Sequence, residues 1–203
     1  MPQTITLLLS GLLTGWALIL AIGAQNAFIL RQGLLKEHVG KVVAFAALSD
    51  IILIGVAVAG VGTVLTNWPG LVPIARWGGG LFIIGYGLNS AWRARKPGTL
   101  SAAEGKSGSG GKALATIAAL TWLNPHLYVD ILMLGTVANS HGVDGRWWFY
   151  AGMVTASATW FASLGYGARL LRPLFAKARA WQILDGIIAV VMIFLGTTLI
   201  VSG

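Results

Sequence analysis

Uncharged stretches long enough to cross a membrane recur along the chain. Four of them contain no Asp, Glu, Lys or Arg: residues 1–30, 51–75, 147–168 and 186–203. Two further apolar stretches, 77–92 and 113–125, reach a similar length with their flanks. A helix crosses the roughly 30 Å hydrocarbon core with about 20 residues, because each residue advances it by about 1.5 Å. The pattern therefore predicts six membrane-spanning helices, at about 5–30, 41–66, 71–93, 113–138, 147–169 and 182–202.

The amino-acid composition supports a membrane protein. Of the 203 residues, 56% are hydrophobic and only 10% are charged, whereas a soluble domain carries about 25% charged residues. A soluble enzyme, a disordered protein and a nucleic-acid-binding module are poor fits, despite a net charge of +8. The first 30 residues lack the basic start and the short apolar core of a signal peptide, which predicts a permanent span. The sequence contains no cysteine, so disulfides and thiolate metal sites are excluded.

The basic residues cluster in alternate connections between the predicted spans. Twelve of the fourteen Lys and Arg residues lie in 31–41, 93–112 and 169–180, whereas the second and fourth connections hold one each, Arg76 and Arg146. Cytoplasmic connections of membrane proteins carry an excess of Lys and Arg. We therefore expect the three basic connections in the cytoplasm and both chain termini outside.

A segment rich in Gly, Ser and Lys divides the chain. Its composition, in residues 94–112, predicts a flexible cytoplasmic linker between residues 1–93 and 113–203. Each flanking part holds three predicted spans, and an odd number makes the second part enter the membrane from the opposite side. We therefore predict an all-α integral membrane protein with six transmembrane helices in two inverted three-helix repeats, a plan common among secondary transporters.

Two predicted spans are interrupted by polar residues. Gln25 and Asn26 lie in the first span, and Asn124 and Pro125 lie near the middle of the fourth. Pro125 has no N–H and its ring clashes with the carbonyl four residues earlier, so the helix is expected to kink or break near Thr121. Interruptions in corresponding spans of two halves point to a transport site. The alternative is a structural kink, with the asparagine side chains bonding neighbouring helices.

Two carboxylates lie inside predicted spans. Asp50 lies nine residues past Lys41, and Asp130 lies five residues past Pro125. A carboxylate at the bilayer centre costs at least about 2.5–3.5 kcal/mol, so it normally faces a partner or a cavity and is a candidate functional group. His126 shares a helix face with Asp130, which fits either a proton relay or a static hydrogen-bonded pair.

Simpler roles are expected for the rest of the chain. Asp185 is expected in the first turn of the sixth span, near Arg179, where an acid complements the helix dipole. The sequence matches no hydrolase, metal-binding or phosphate-binding motif. We therefore expect no enzyme activity, no cofactor and no metal site.

Three segments resemble the lysine/arginine exporter family of LysE-type amino-acid exporters. They are residues 23–33, 49–50 and 121–130, which read GAQNAFILRQG, SD and TWLNPHLYVD. The related exporters of neutral amino acids have Pro-Gly-Pro where Ala24, Gln25 and Asn26 stand, which favours basic substrates here. Some family members have proline at the position of Ala24. Because this chain has alanine there, its sequence does not predict that a proline breaks the first span.

The resemblance implies export of L-arginine or L-lysine across the cytoplasmic membrane of a bacterial cell. We expect Asp50 and Asp130 to bind the cationic side chain of the substrate and a proton in turn, with His126 as a further proton carrier. The amino and carboxylate groups of the substrate are assigned to the polar groups at the two interruptions: Gln25, Asn26, Asn124 and the opened backbone at Pro125. Exchange for one proton is expected, because it cancels the charge moved by a +1 solute.

Other functions stay open at this point. The chain could export neutral amino acids or other small metabolites, or it could be a membrane scaffold or intramembrane enzyme whose polar residues form a static network. The expected partners are a small-molecule substrate and membrane lipid. A homo-oligomer is left open, and no nucleic acid is expected.

Overall fold

The fold is given by a computed structural model that describes residues 2–20, 23–59, 71–95 and 109–201. These ranges contain eight α-helices: α1 Pro2–Ile19, α2 Ala24–Leu35, α3 Val39–Val58, α4 Leu71–Arg95, α5 Gly110–Trp122, α6 Pro125–Asn139, α7 Gly142–Gly167 and α8 Ala178–Val201. Two short 3₁₀ helices, Ala168–Leu171 and Leu174–Ala176, connect α7 to α8. The described ranges contain no strand, which confirms the prediction of an all-α protein. The end of the second predicted span and most of the linker 94–112 lie outside the described residues.

Several helices are suited to a membrane. Among the described residues, Val39–Val58 and Ala178–Thr198 are each long and apolar enough to cross one. The pair Gln3–Ile19 and Ala24–Leu35, bent by 85°, would be a third span if both helices form one broken segment. Large apolar side chains such as Leu13 and Phe194 are more than 60% exposed, as lipid contact allows. The described part of the chain is therefore all-helical and consistent with a membrane protein, while its six-span repeat arrangement and the side of its termini stay predictions.

The first predicted span is broken in the structure. Helix α1 ends at Ile19 and α2 begins at Ala24, after the extended residue Gly23. The Asn26 side-chain amide donates to the Ile19 carbonyl at 2.7 Å. Carbonyls at a helix end need such partners because the helix itself supplies none. A break therefore forms without proline at position 24, because a side chain satisfies part of the opened backbone.

The fourth predicted span is broken where Pro125 predicts it. Helix α5 ends at Trp122, and α6 begins at Pro125. Proline fits the first position of a helix, where its missing N–H would have no partner in any case. The prediction of a break near Thr121 is confirmed, and each part of the chain contains one broken element.

Helices from the two parts of the chain pack closely together. Helix α1 lies along α7, and α4 lies along α8. Glycines allow the close approach: a Cβ added to Gly152 would lie 2.1 Å from the Leu8 carbonyl oxygen, and one added to Gly87 would lie 2.9 Å from the Met192 Cβ. Small residues allow such close approach of helices in membranes.

Two of the three buried apolar clusters among the described residues include α3, the helix that carries Asp50. The larger joins six helices, and its least exposed members are Ile29, Val42, Ala46, Ile117, Leu120, Phe161, Ile188 and Met192. The smaller joins α3, α6 and α7, and it includes Ile54, Leu134 and Met153. The same three side chains form the apolar wall of a cavity next to α1.

Candidate functional site

A small cavity lies where α1, α3, α6 and α7 meet. Its volume is about 90 Å³. Its lining is mostly apolar: Gly15, Leu18, Ile19, Asp50, Ile54, Asp130, Leu134, Met153 and Ser157. The structure thus brings Asp50 and Asp130, which belong to different parts of the chain, to one cavity.

The two carboxylates have different surroundings. Asp50 is partly buried in α3, whereas Asp130 on α6 is more exposed. The fully buried hydroxyl of Ser157, on α7, lies close enough to Asp50 to interact with its carboxylate. Its Oγ nevertheless has no partner at hydrogen-bond geometry among the described residues. Ser157 was not singled out from the sequence, because its only signal is one hydroxyl in an uncharged stretch.

A side-chain hydrogen bond joins the two helix breaks. The hydroxyl of Thr121, near the end of α5, shares its one proton between the Ile117 carbonyl at 2.8 Å and Gln25 Oε1 at 3.2 Å. The indole N–H of Trp122 donates to Ser49 Oγ at 3.2 Å, next to Asp50 in α3. Gln25 therefore belongs to a polar network that runs from the first break, through the second, to the helix that carries Asp50.

Both predicted asparagines lie at the breaks. Asn26 holds the Ile19 carbonyl at the end of α1. Asn124 lies between α5 and α6, and its backbone N–H donates to the Thr121 carbonyl at 3.4 Å. The Asn26 side chain thus satisfies a backbone group that the first break exposes. Contact of either asparagine with substrate stays a prediction.

Two other predicted residues lie at the start of α6. Pro125 is the first residue of that helix, as expected from its missing N–H. The side chains of Pro125 and His126 lie outside the part of the structure that is described. The relay between His126 and Asp130 therefore stays a prediction.

Asp185 has different partners from those the sequence suggested. It lies well inside α8, which begins at Ala178, and it is only 4% exposed. Its Oδ1 lies 3.0 Å from Arg93 Nη2 and 3.7 Å from Arg31 Nε. The prediction that Asp185 lies in the first helical turn near Arg179 is therefore wrong. The helix begins earlier than predicted, and the charged neighbours of this carboxylate are arginines from α2 and α4.

The cavity has the chemistry of a site for a small cation. Two carboxylates against apolar walls attract a cationic group, because paired charges replace lost hydration. Ligand pockets usually measure about 300–1,000 Å³, so a cavity of about 90 Å³ must widen before it accepts a whole amino acid. Among the described residues, no three His, Cys, Asp or Glu side chains come together in a way that could hold a metal ion.

Known proteins with similar sequences are membrane transporters. The family described as "LysE type translocator" matches residues 16–203. A candidate amino-acid transporter of Mycobacterium tuberculosis (strain ATCC 25618 / H37Rv) is 41% identical over 187 residues, which cover 90% of each chain. The arginine exporter protein ArgO of Enterobacter sp. (strain 638) is 34% identical over 195 residues, 95% of this chain and 92% of that protein. ArgO of Salmonella schwarzengrund (strain CVM19633) is 35% identical over 184 residues, 90% of this chain and 87% of that protein.

These matches extend over nearly the whole chain, and no solved structure matches it. They confirm the resemblance seen in the sequence. The translocators and exporters it resembles are transporters rather than enzymes. The chain therefore belongs to the LysE-type translocator family of amino-acid transporters.

Proposed function

We propose that this transporter exports a basic L-amino acid, arginine or lysine or both, across the bacterial cytoplasmic membrane in exchange for protons. The observation that carries the proposal is that Asp50 and Asp130 line one cavity, and that its described lining includes no arginine or lysine. Such a cavity favours a cationic ligand. The names of the Enterobacter and Salmonella relatives, arginine exporter protein ArgO, support arginine as a substrate.

The proposed architecture has six spans in two inverted three-helix repeats, residues 1–93 and 113–203. Each part of the chain has one broken element followed by two long helices: α1/α2, α3 and α4 in the first, α5/α6, α7 and α8 in the second. The contacts cross between the parts: α1 and α2 lie against α7, α5 and α6 lie against α3, and α4 lies against α8. A two-fold relation between repeats produces this exchange of equivalent partners, so the packing supports the proposal.

The proposed orientation follows from the basic residues. The connections 31–41, 93–112 and 169–180 are placed in the cytoplasm because they hold twelve of the fourteen Lys and Arg residues. Both chain termini are then outside the cell, and the linker 94–112 is cytoplasmic.

In the proposed cycle, the cationic side chain of the substrate pairs with Asp50 and Asp130 after the cavity has widened. Gln25, Asn26 and Asn124 bind the amino and carboxylate groups. One of the two aspartates then takes up a proton when the substrate leaves, with His126 as a further carrier. Moving a +1 solute out of the cell against about 100 mV costs about 2.3 kcal/mol, and the inward movement of one proton cancels that charge transfer.

Counterflow of radiolabelled L-arginine into proteoliposomes loaded with unlabelled arginine tests the substrate. We expect uptake that unlabelled lysine competes for and threonine barely affects. Competition by threonine but not by lysine would make the protein an exporter of neutral amino acids. If neither arginine, lysine nor threonine is taken up, the transport proposal is wrong and a non-transporting scaffold takes its place.

Inverted membrane vesicles test the coupling to protons. The cytoplasmic face of these vesicles points outward, so export appears as uptake. An imposed pH gradient, acidic inside, is expected to drive arginine into the vesicles, and collapse of the gradient with an ionophore is expected to stop it. Uptake that does not depend on the gradient would contradict exchange with protons.

A further inference from the structure

Three charged side chains form a buried cluster that joins α2, α4 and α8. They are Arg31, Arg93 and Asp185, and their side chains are 19%, 22% and 6% exposed. None of the three lines the cavity that contains Asp50 and Asp130. The cluster is therefore outside the site described above, and its charges need a separate explanation.

Arg93 is held from several sides. Its Nε and Nη2 donate to Asp185 Oδ1 at 3.1 and 3.0 Å, and Nη2 also donates to Ser90 Oγ. Its guanidinium lies 5.6 Å from the centre of the Tyr86 ring. Arg93 and Asp185 thus form a neutral pair with close hydrogen bonds.

Arg31 has no such partner. Its Nε lies 3.7 Å from Asp185 Oδ1, which is too long for a hydrogen bond. This buried Nε has no hydrogen-bond partner among the described residues. Glu37 attracts Arg31 as well, but from beyond the distance of an ion pair. Its guanidinium lies 5.9 Å from the centre of the Trp181 ring, in a cation–π contact. Arg31 is thus a mostly buried cation whose Nε–H makes no hydrogen bond to the described residues.

The composition of the cluster points to an anionic ligand. Two arginines and one aspartate leave a net charge of +1, and the buried Arg31 Nε–H is a donor left without an acceptor among the described residues, which is destabilising. A guanidinium offers two parallel N–H donors that match the two oxygens of a carboxylate. A singly charged carboxylate would both occupy these donors and neutralise the cluster.

We infer that Arg31 binds the α-carboxylate of the amino acid on its way out of the cell. In the proposed orientation, Arg31 and Arg93 adjoin cytoplasmic connections, where the substrate arrives. The inference rests on the proposed function, because an amino-acid substrate is what brings the carboxylate. A site of this kind selects amino acids over amines before the substrate reaches Asp50 and Asp130. The phosphate of an anionic lipid is a second source of the same oxyanion chemistry, because such lipids are abundant in the cytoplasmic leaflet.

A comparison of L-arginine with agmatine distinguishes binding through the carboxylate from binding through the guanidinium. Both carry the guanidinium, but agmatine lacks the carboxylate. We expect purified wild-type protein in lipid nanodiscs to bind arginine about ten to a hundred times more tightly than agmatine, measured by thermal stabilisation. Arg31→Gln is expected to weaken arginine binding by about that factor and to leave agmatine binding within about twofold. Arg31→Lys keeps the charge without the fork of donors, so its effect on arginine should be intermediate.

Arg146→Gln is a matched control. Arg146 also lies over a tryptophan, 5.4 Å from the centre of the Trp147 ring, and it also has a buried Nε without a partner. Its Nη1, however, donates to Asn139 Oδ1 at 3.0 Å, so its guanidinium is engaged. This variant is expected to keep the wild-type ratio of arginine to agmatine affinity.

The outcomes separate this inference from the proposed function. If the wild type shows arginine counterflow but Arg31→Gln keeps the wild-type ratio of arginine to agmatine affinity, the inference is wrong and the transport proposal stands. If Arg31→Gln loses the preference for arginine over agmatine but the wild type shows no counterflow, carboxylate binding by Arg31 stands and the transport proposal is wrong. Equal weakening of arginine and agmatine indicates a structural role and contradicts the inference. Arg31→Gln could instead change thermal stability only in nanodiscs that contain phosphatidylglycerol, with the ratio of arginine to agmatine affinity unchanged. That result would assign the site to lipid phosphate and contradict the inference.

Discussion

The hydroxyl of Thr121 lies 3.2 Å from Oε1 of Gln25, so the two broken elements of the protein touch each other at their breaks. Gln25 is the second residue of α2, and Thr121 is the last residue but one of α5. The next residue, Trp122, donates to Ser49, whose neighbour Asp50 lines the cavity. A displacement at either break therefore acts on the helix that carries Asp50 through direct side-chain contacts.

Thr121→Val is expected to slow export while the protein stays folded. Valine keeps the shape of threonine but cannot donate to Gln25. The loss of one such hydrogen bond is worth about 0.5–1.5 kcal/mol, which corresponds to a fall of about two- to twelvefold in a rate that depends on the contact. The measurement is the initial rate of arginine counterflow, normalised to protein in the proteoliposomes.

Thr116→Val supplies the control for Thr121 on the same helix. Thr116 donates to the Lys112 carbonyl at 2.8 Å, and Thr121 makes the same kind of bond to the Ile117 carbonyl, also at 2.8 Å. Among the described residues, only Thr121 of these two has a side-chain partner on another helix. Equal rates in the two variants would show that the contact between the breaks has no part in transport.

Asp50→Asn and Asp130→Asn are each expected to abolish export without removing the protein from the membrane. An amide neither pairs with a cation nor carries a proton, yet it has the size of a carboxylate. Both residues line the cavity, so each loss acts where the substrate is proposed to bind. Counterflow should fall at least about a hundredfold, which corresponds to the loss of a charged interaction of about 3 kcal/mol.

The control for these two substitutions is Asp144→Asn. Asp144 is an exposed acid in the first turn of α7 and does not line the cavity. Its variant is expected to transport at close to the wild-type rate. Normal counterflow by Asp50→Asn or Asp130→Asn would assign the residue concerned to a structural role.

The sequence predicts the parts of this structure that follow from local chemistry. Proline cannot continue a helix, so the break before Pro125 follows from that residue alone. Carboxylates within apolar spans need polar surroundings, so Asp50 and Asp130 could be selected before any contact was known. The break before Ala24 was harder to predict, because it depends on a capping contact from Asn26 to Ile19 rather than on proline.

The arginine cluster could not be predicted, because its members are far apart in the chain. The sequence predicts that Asp185 lies near Arg179, six residues earlier, but its closest partner is Arg93 on another helix. In the charge pattern of the sequence, Arg31 and Arg93 mark the cytoplasmic side. The number of Lys and Arg residues in each connection predicts the orientation of the chain in the membrane. It does not predict which of these side chains are buried in contact with each other.

Gly152→Ala is expected to destabilise the protein by separating α1 from α7. The added Cβ would lie 2.1 Å from the Leu8 carbonyl oxygen and 2.7 Å from the Leu12 nitrogen, and both are backbone atoms that cannot rotate away. Overpacking typically costs about 1–3 kcal/mol, and more where backbone must move. A lower melting temperature of the purified protein is the readout.

Gly85→Ala is the control, since its Cβ would meet nothing within 4 Å, and it should be neutral or slightly stabilising. A melting temperature equal to that of Gly85→Ala would contradict the close packing of α1 and α7.

Asp185→Asn is expected to be one of the more destabilising substitutions in the protein, in contrast to the mild effect that a position at a helix start would have. The carboxylate is 4% exposed, and its removal leaves two arginines close together without an opposite charge in contact. Breaking a buried pair by removing one partner costs about 3–5 kcal/mol, mostly because the other charge stays buried.

A double-mutant cycle measures how that energy divides between the two arginines. Asp185→Asn combined with Arg93→Gln should recover part of the lost stability, because the pair is removed as a unit. The coupling of Asp185 with Arg93 should exceed its coupling with Arg31, since Arg93 donates two hydrogen bonds of 3.0 and 3.1 Å whereas the Arg31 contact is 3.7 Å. Melting temperatures of the single and double variants give both couplings. If the Arg31 coupling equals or exceeds that of Arg93, then Arg31 is already committed to Asp185 and is not available for a carboxylate ligand.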